Sequence, residues 1–384
     1  MQNKPKFFIT TTIPSTLVFY KDNLRFLNEQ FEVWAISSEK QELDAIGEQE
    51  GIKTALIPMK REISLFNDLA SFLNFMRLFF KERPDIVHGN TPKAAMLAML
   101  AAKLTGVKVR IYVCHGLRFE GASGLMRMLL IKMEQLTCSC ASRVLCVSKG
   151  VHSTLVNQKI VSSGKAAVIN HGSAGGLNLE LFSKNEHADN NIRVELGISP
   201  DAFVFIFVGR LVRDKGVNEL ISAFSHLQEE IENLHLILVG EEDGLLDPIS
   251  NATKLQIHIL STIHKVGWQT DIRPYLAIAD AFVFPSYREG FGMVLLEAGA
   301  MGLASITTDI SGCNEIILDR INGEIIPPKD RDALYNKMRE WVNNRNKIVQ
   351  MSHNARKLVA SRFERTLVWR NYLEEYKRLL KNTN

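Results

Sequence analysis

Short apolar runs that end in glycine, proline or a small polar residue recur along this chain, with longer stretches of helical spacing between them. Two parallel strands cannot be joined without a crossover of a dozen or more residues, usually a helix. The alternation therefore demands βαβ units, and an α/β fold with a doubly wound parallel sheet. Strands are expected at residues 7–11, 31–37, 54–58, 85–88, 109–114, 143–147 and 166–170. The rhythm then restarts, with strands at 202–209, 234–240, 263–266, 281–285, 304–308 and 324–326. Amphipathic helices are expected over 65–81 and 91–104, and two helical stretches, 346–361 and 364–381, end the sequence. Residues 171–200 separate the two series. They carry His171-Gly172-Ser173-Ala174-Gly175-Gly176 and then a polar run from Lys184 to Asn191, which reads as a linker.

Two domains suit a length of 384 residues at about 150 residues each. Apolar residues make up 46% and charged residues 23%, which excludes whole-chain disorder and fibrous repeats. A net charge of +4 is too small to indicate nucleic-acid binding, and no nucleic-acid partner is expected. The charge is uneven. Residues 1–185 hold 23 Lys/Arg against 15 Asp/Glu, leaving 23 against 27 for the remainder. A basic half suggests a domain that meets an anionic surface.

The five cysteines (Cys114, Cys138, Cys140, Cys146 and Cys313) are odd in number and lack zinc-knuckle spacing. They read as small buried hydrophobes in a reducing, cytoplasmic compartment. Phe7-Phe8-Ile9 is too short for a signal peptide, and no window reaches about 18 uncharged apolar residues. The chain is expected not to span a membrane, which leaves room for it to lie on one.

Two motifs carry chemistry. Residues 285–298, beginning Pro285-Ser286-Tyr287-Arg288-Glu289-Gly290-Phe291-Gly292, follow an apolar strand and open a helix near Gly292. Free N–H groups at a helix start attract phosphate or a developing negative charge. A carboxylate such as Glu289 or Glu297 accepts two O–H groups from vicinal sugar hydroxyls. Alone, the segment is also compatible with a plain strand–turn–helix bearing surface glutamates. Gly209-Arg210-Leu211-Val212-Arg213-Asp214-Lys215-Gly216 likewise follows a strand, and Arg210 and Lys215 together would neutralise a diphosphate. Alone, such cations are more often a solvated loop.

The two motifs together, on the second of two doubly wound domains, resemble the family-4 retaining glycosyltransferases of the GT-B fold. The marks are G-R-x-x-x-x-K-G and the Glu289/Glu297 pair. Arg83-Pro84-Asp85-Ile86-Val87-His88, Thr91-Pro92-Lys93-Ala94 and the stretch from Val113 to Glu120 resemble the bacterial capsule, exopolysaccharide and O-antigen subgroup. The resemblance implies two Rossmann-like domains facing a central cleft. These are 1–180 for the acceptor and 181–363 for the nucleotide sugar, with a last helix, 364–384, packing back on the first domain.

It also implies roles. Arg210 and Lys215 would grip the donor diphosphate, and Glu289 would face the transferred sugar. Gly290, Phe291, Gly292 and Met293 would offer backbone N–H groups, with Val294 beside them, and Glu297 would bind the nucleotide ribose. His115 would contact the donor sugar across the cleft. The donor is expected to be a UDP-sugar carrying a hexose or N-acetylhexosamine, and the acceptor a polyprenyl-diphosphate-linked saccharide on the cytoplasmic face of the membrane. Three positions depart from the family pattern. The loop after the first strand, Thr10 to Ser15, has no glycine, Gly89-Asn90 replaces Thr-His, and Asn178 replaces aspartate.

No metal or cofactor is expected. Asp330-Arg331-Asp332 reads as a helix cap rather than an ion site. On the acceptor side, Thr91 reads as the cap of a helix whose start, with the charge of Lys93, would suit a diphosphate, and an ordinary capped helix fits the same residues. The segments 59–83 and 117–136 interleave Phe, Leu and Met with Lys and Arg, which suits peripheral docking of the first domain on anionic lipid, while core packing competes for the same apolar surface and uses part of it. A nucleotide-sugar 2-epimerase of the same architecture and a non-catalytic nucleotide-sugar-binding subunit remain as alternatives. A dinucleotide-dependent dehydrogenase is weaker, since no G-x-G-x-x-G follows the first strand.

Overall fold

A computed structural model describes residues 4–62, 64–173, 175–183, 192–243 and 247–383. The chain forms two units, one running to Gly176 and resuming at Thr366, the other spanning Leu177–Arg365. The expected linker run from Lys184 to Asn191 lies outside the described residues.

The first unit holds seven parallel strands: β1 (Lys6–Thr10), β2 (Glu32–Ser37), β3 (Lys53–Leu56), β4 (Ile86–Gly89), β5 (Val109–Cys114), β6 (Arg143–Cys146) and β7 (Ala166–Val168). Their order is β3-β2-β1-β4-β5-β6-β7. The connecting helices are α1 (Asn23–Asn28), α2 (Lys40–Glu50), α3 (Leu65–Glu82), α4 (Pro92–Leu104), α5 (Gly124–Cys140) and α6 (Lys149–Asn157). The strand order reverses between β1 and β4, which is where doubly wound sheets leave a crevice at their carboxyl edge.

The second unit repeats the plan with β8 (Phe203–Val208), β9 (Leu234–Val239), β10 (Ile263–Gly267), β11 (Ala281–Phe284), β12 (Ser305–Thr308) and β13 (Gly323–Ile326). The order is β10-β9-β8-β11-β12-β13, so the reversal falls between β8 and β11. Its helices are α7 (Val217–Glu230), α8 (Asn251–Ile259), α9 (Arg273–Ala277), α10 (Met293–Ala300), α11 (Arg331–Asn343) and α12 (Arg345–Phe363). β8 is apolar at all six positions and buried throughout, as a strand covered by helices on both faces must be. Alternation sends Phe203, Phe205 and Phe207 to one face and Val204, Ile206 and Val208 to the other.

The final helix, α13 (Arg365–Lys381), leaves the second unit and packs into the first. Its Trp369 indole donates to Gly175 O at 2.8 Å, Tyr372 Oη donates to Ser173 O at 2.7 Å, and Arg143 donates to Glu375 at 3.0 Å. The two chain passages are bound side by side, because Leu177 N–H donates to Phe363 O at 2.8 Å and Arg365 N–H donates to Leu177 O at 3.0 Å.

Glu324 on β13 is 1% exposed. It accepts the Trp341 indole N–H at 2.7 Å and the Lys347 ammonium at 2.6 Å, so β13, α11 and α12 meet at one carboxylate. Lys337 also reaches it at 3.3 Å, so replacing Glu324 strands a buried donor and two partly buried cations. Glu324→Leu should lower the stability of the second unit by about 2–3 kcal/mol, read as a fall in the urea midpoint.

Candidate functional site

The loops after β8 and β11 flank the reversal of the second sheet, and they touch. Gly216 has φ +71°, and a Cβ there would lie 2.1 Å from Pro285 O, so no larger residue fits between the loops as they stand. Beside this contact two ion pairs cross with opposite sense. The Lys215 ammonium meets Glu289 Oε1, and Arg288 donates to Asp214 Oδ2 at 2.7 Å. Tyr287 N–H also donates to Asp214 O at 2.8 Å. Lys215 and Glu289 are only 16% and 14% exposed. Ser286 Oγ donates to Glu289 Oε1 at 3.1 Å, and the ammonium stands 5.5 Å from the centre of the Phe284 ring. Glu289 Oε2 has no partner among the described residues, and the ammonium has further N–H donors beyond its bond to Glu289.

Next to this pair a cavity of about 550 Å³ opens over the carboxyl ends of β8, β9 and β10. Gly209, Arg210, Gly240, Asp243, Trp268 and Gln269 line it. Gly240 has φ +137°, and a Cβ there would lie 2.0 Å from Gly209 O, so its floor is bare backbone. Arg210 is exposed and donates to Asp243 Oδ2 at 2.8 Å. Sequence reasoning missed Trp268, Asp243 and Gln269. The available signal was an exposed tryptophan directly after the glycine that ends β10.

The start of α10 differs in part from expectation. Gly292 N–H donates to Gly312 O at 3.1 Å and Met293 N–H donates to Phe291 O at 2.9 Å, so these two amides are already used. The amides of Gly290, Phe291 and Val294 have no partner among the described residues. The Phe291 ring turns inward and meets Phe363 edge-on at 5.6 Å. Glu297, further along α10, is partly buried and accepts no side-chain hydrogen bond among the described residues. Burial pushes its carboxyl up to about 7. Asp330 caps α11, accepting Ala333 N–H at 2.9 Å. Among the described residues, no group of three His, Cys, Asp or Glu gathers as a metal site would require.

The other expected residues belong to the first unit. His115 follows β5, is half-buried, and has Nε2 3.0 Å from Asn90 Oδ1. Burial pushes its imidazole down to about 4, so it is neutral near pH 7. Lys93 is not available to a ligand as placed: it is buried and its ammonium meets Asp68 Oδ1 at 2.7 Å and the Glu62 carbonyl. Thr91 precedes α4 but its side chain does not cap it. Thr91 Oγ1 instead accepts Thr12 N–H at 3.0 Å, while Thr12 Oγ1 accepts Ala94 N–H at 3.4 Å. The β1 loop thus closes the helix start.

The apolar–basic segments divide between core and surface. Phe75 and Phe79 of α3 are buried, whereas Phe66 is 90% exposed and Leu65, Leu69 and Phe80 are exposed with it. On α5, Leu125 is 82% exposed, and Met126, Met128 and Leu129 join it. Both helices flank α4, and their exposed first turns stand at the carboxyl edge of the sheet. Lys60, Arg61, Arg118, Arg127 and Lys132 are exposed around them.

Glu297 yields a stability test. An unfolded glutamate ionises near 4.3, so between that pH and about 7 the folded chain holds a proton that the unfolded chain has lost. Stability is greatest below this window and falls as pH rises through it. Glu297→Gln removes that cost. Its advantage in urea denaturation should widen from pH 5 to pH 8, reaching about 3 kcal/mol.

The sequence matches the family described as glycosyl transferases group 1 over residues 188–358, and glycosyltransferase family 4 over residues 21–173. CapM of Staphylococcus aureus, a capsular polysaccharide biosynthesis glycosyltransferase, is 31% identical over 388 residues, covering 100% of this chain and 99% of its own. An Escherichia coli UDP-Gal:α-D-GlcNAc-diphosphoundecaprenol α-1,3-galactosyltransferase is 28% identical over 341 residues, covering 88% and 86%. Among solved structures, HepE of Anabaena in complex with UDP and glucose has the same fold, with a TM-score of 0.82 at 19% identity over 97% of this chain and 100% of that one. The two doubly wound parallel sheets are those of GT-B proteins. On these grounds the chain belongs to the family-4 glycosyltransferases.

Proposed function

We propose that this chain is a retaining glycosyltransferase that moves a hexose or N-acetylhexosamine from a UDP-sugar to a polyprenyl-diphosphate-linked saccharide, in the synthesis of a bacterial surface polysaccharide. The observation that carries the reading is the Lys215–Glu289 pair at the reversal of the second sheet, beside a cavity large enough for a nucleoside. The Escherichia coli relative is named for a UDP-sugar donor and a diphosphoundecaprenol acceptor, the Staphylococcus aureus relative for capsule synthesis, and the Anabaena protein was solved with UDP.

The chemistry follows from the charges. The uracil occupies the cavity, and the ribose extends from it to Glu297, which accepts ribose hydroxyls as a carboxylate. Arg210 turns from Asp243 to the diphosphate at small cost, because an exposed ion pair contributes only about 0–1 kcal/mol. Lys215 keeps one donor on Glu289 and gives the others to phosphate. Glu289 Oε2 and the open amides of Gly290, Phe291 and Val294 hold the transferred sugar. The bond from the anomeric carbon to the β-phosphate oxygen breaks, and the acceptor hydroxyl attacks from the same face. Its proton passes to the departing phosphate, so no protein base is assigned. The chain orients the reactants and stabilises the leaving charge. Arg210 and Lys215 supply the positive charge, so the reaction should run at full rate in EDTA.

Glu289→Ala and Lys215→Ala should each lower kcat by at least about 100-fold, measured as nucleotide release from a UDP-sugar with a lipid-diphosphate acceptor. Parent-level turnover in either variant refutes the assignment. Donor consumed without acceptor would favour the epimerase instead.

The exposed apolar turns of α3 and α5, ringed by cations, support docking of the first unit on an anionic bilayer at the cytoplasmic face. Co-sedimentation should favour vesicles containing phosphatidylglycerol over neutral ones, and Phe66→Ser with Leu125→Ser should abolish the difference. Equal binding to both vesicles contradicts the proposal.

A further inference from the structure

Four side chains from three separate stretches of the sequence form one hydrogen-bonded line inside the first unit. Tyr376 Oη on α13 stands 3.0 Å from His88 Nε2. Asn90 Nδ2 stands 3.0 Å from His88 Nδ1, and Asn90 Oδ1 stands 3.0 Å from His115 Nε2. Asn90 Oδ1 also accepts the Tyr20 hydroxyl at 2.6 Å. His88, Asn90, Tyr20 and Tyr376 are all buried.

Each link carries a single proton, and that sets the direction of the line. The Asn90 amide donates to His88 Nδ1, so the His88 proton sits on Nε2 and is donated to Tyr376 Oη. Asn90 Oδ1 can only accept, so His115 holds its proton on Nε2 and keeps a lone pair on Nδ1. His115 Nδ1 has no partner among the described residues. Neither ring takes a second proton near neutral pH, because burial pushes His88 down to about 3 and His115 to about 4. The rings are also clamped. Phe7 and Tyr20 flank His88 at 5.5 and 5.7 Å, and Phe19 stacks on His115 at 5.9 Å. With the rings held in place, the remaining freedom is which nitrogen bears the proton.

We propose that Tyr376, acting through His88 and Asn90, is a positioning residue that fixes the tautomer of His115, so that Nδ1 is presented as an acceptor to a substrate hydroxyl. The catalytic half of this statement rests on the transferase reading above, whereas the tautomer half does not. It gives α13 a task in the reaction: the end of the chain sets the proton of a histidine encoded some 260 positions earlier. Losing the far end of the line leaves His88 Nε2–H without its acceptor, so His88 can hold its proton on Nδ1 instead. The Asn90 amide then turns to accept it with Oδ1, its Nδ2 faces His115 Nε2, and the His115 proton moves to Nδ1, with the Tyr20 hydroxyl able to accept as well as donate.

The test is Tyr376→Phe in the full chain, read by ¹⁵N-edited NMR of the histidine rings and by steady-state kinetics. The parent should show His115 as a single Nε2–H tautomer. The variant should show a mixture, with kcat down at least about tenfold and the donor KM within about twofold. A folded variant with the parental ring signature and kcat overturns the proposal. If Tyr376→Phe does not fold, Asn90→Leu breaks the line at its centre without touching α13 and should give the same loss of a single tautomer; a parental signature there also overturns it. The ring signature needs no substrate, so a parent without transferase activity would refute the functional reading while the relay is still tested.

Discussion

The contact between the loops after β8 and β11 is the constraint on which the candidate site of the second unit depends. A parallel sheet that reverses its order leaves two neighbouring strand ends whose following loops diverge to opposite faces. Here the loops are drawn together instead. Gly216 lets the backbone approach Pro285 O, and the Lys215–Glu289 and Asp214–Arg288 pairs cross the seam in opposite sense. Alternating signs keep the seam close to neutral, so neither loop is repelled, while the lysine still directs spare N–H donors outward. The cavity lies alongside because Gly209 and Gly240 remove side chains from its floor.

Much of this was legible in the sequence because it follows from local pattern. The run Phe203–Val208 can only be a strand buried on both faces, and the restart of the βαβ rhythm fixes two sheets. Residues that must sit at strand ends, such as Lys215 and Glu289, follow from the same rhythm. What stayed hidden depends on partners remote in the chain. Thr91 has the look of a helix cap, but Thr12 from the β1 loop takes the amide it would have capped. Lys93 has the look of a phosphate ligand, but Asp68 on the neighbouring helix takes its charge. The alternation of buried Phe75 and Phe79 with exposed Phe66 and Phe80 is settled by which face of α3 meets α4.

The first unit follows the same plan with a different filling. Among the described residues, no ion pair joins the loops after β1 and β4, which flank its reversal. Thr12 and Thr91 close it, and below them lies the polar line from Tyr376 to His115. A buried line of neutral groups holds side chains in one orientation without adding a field of its own. In the proposed function the two units would divide the work of a transferase: electrostatic grip on a diphosphate in one, and fixed hydrogen-bonding directions in the other.

The most direct test of the account is calorimetric titration of Gly216→Ala with UDP. This substitution removes no charged or polar side chain and acts through the backbone alone, by the left-handed φ at this position and by forcing the two loops apart. With the parental circular dichroism spectrum retained, UDP affinity should fall at least about tenfold together with transfer activity. Parental UDP affinity in Gly216→Ala would contradict it.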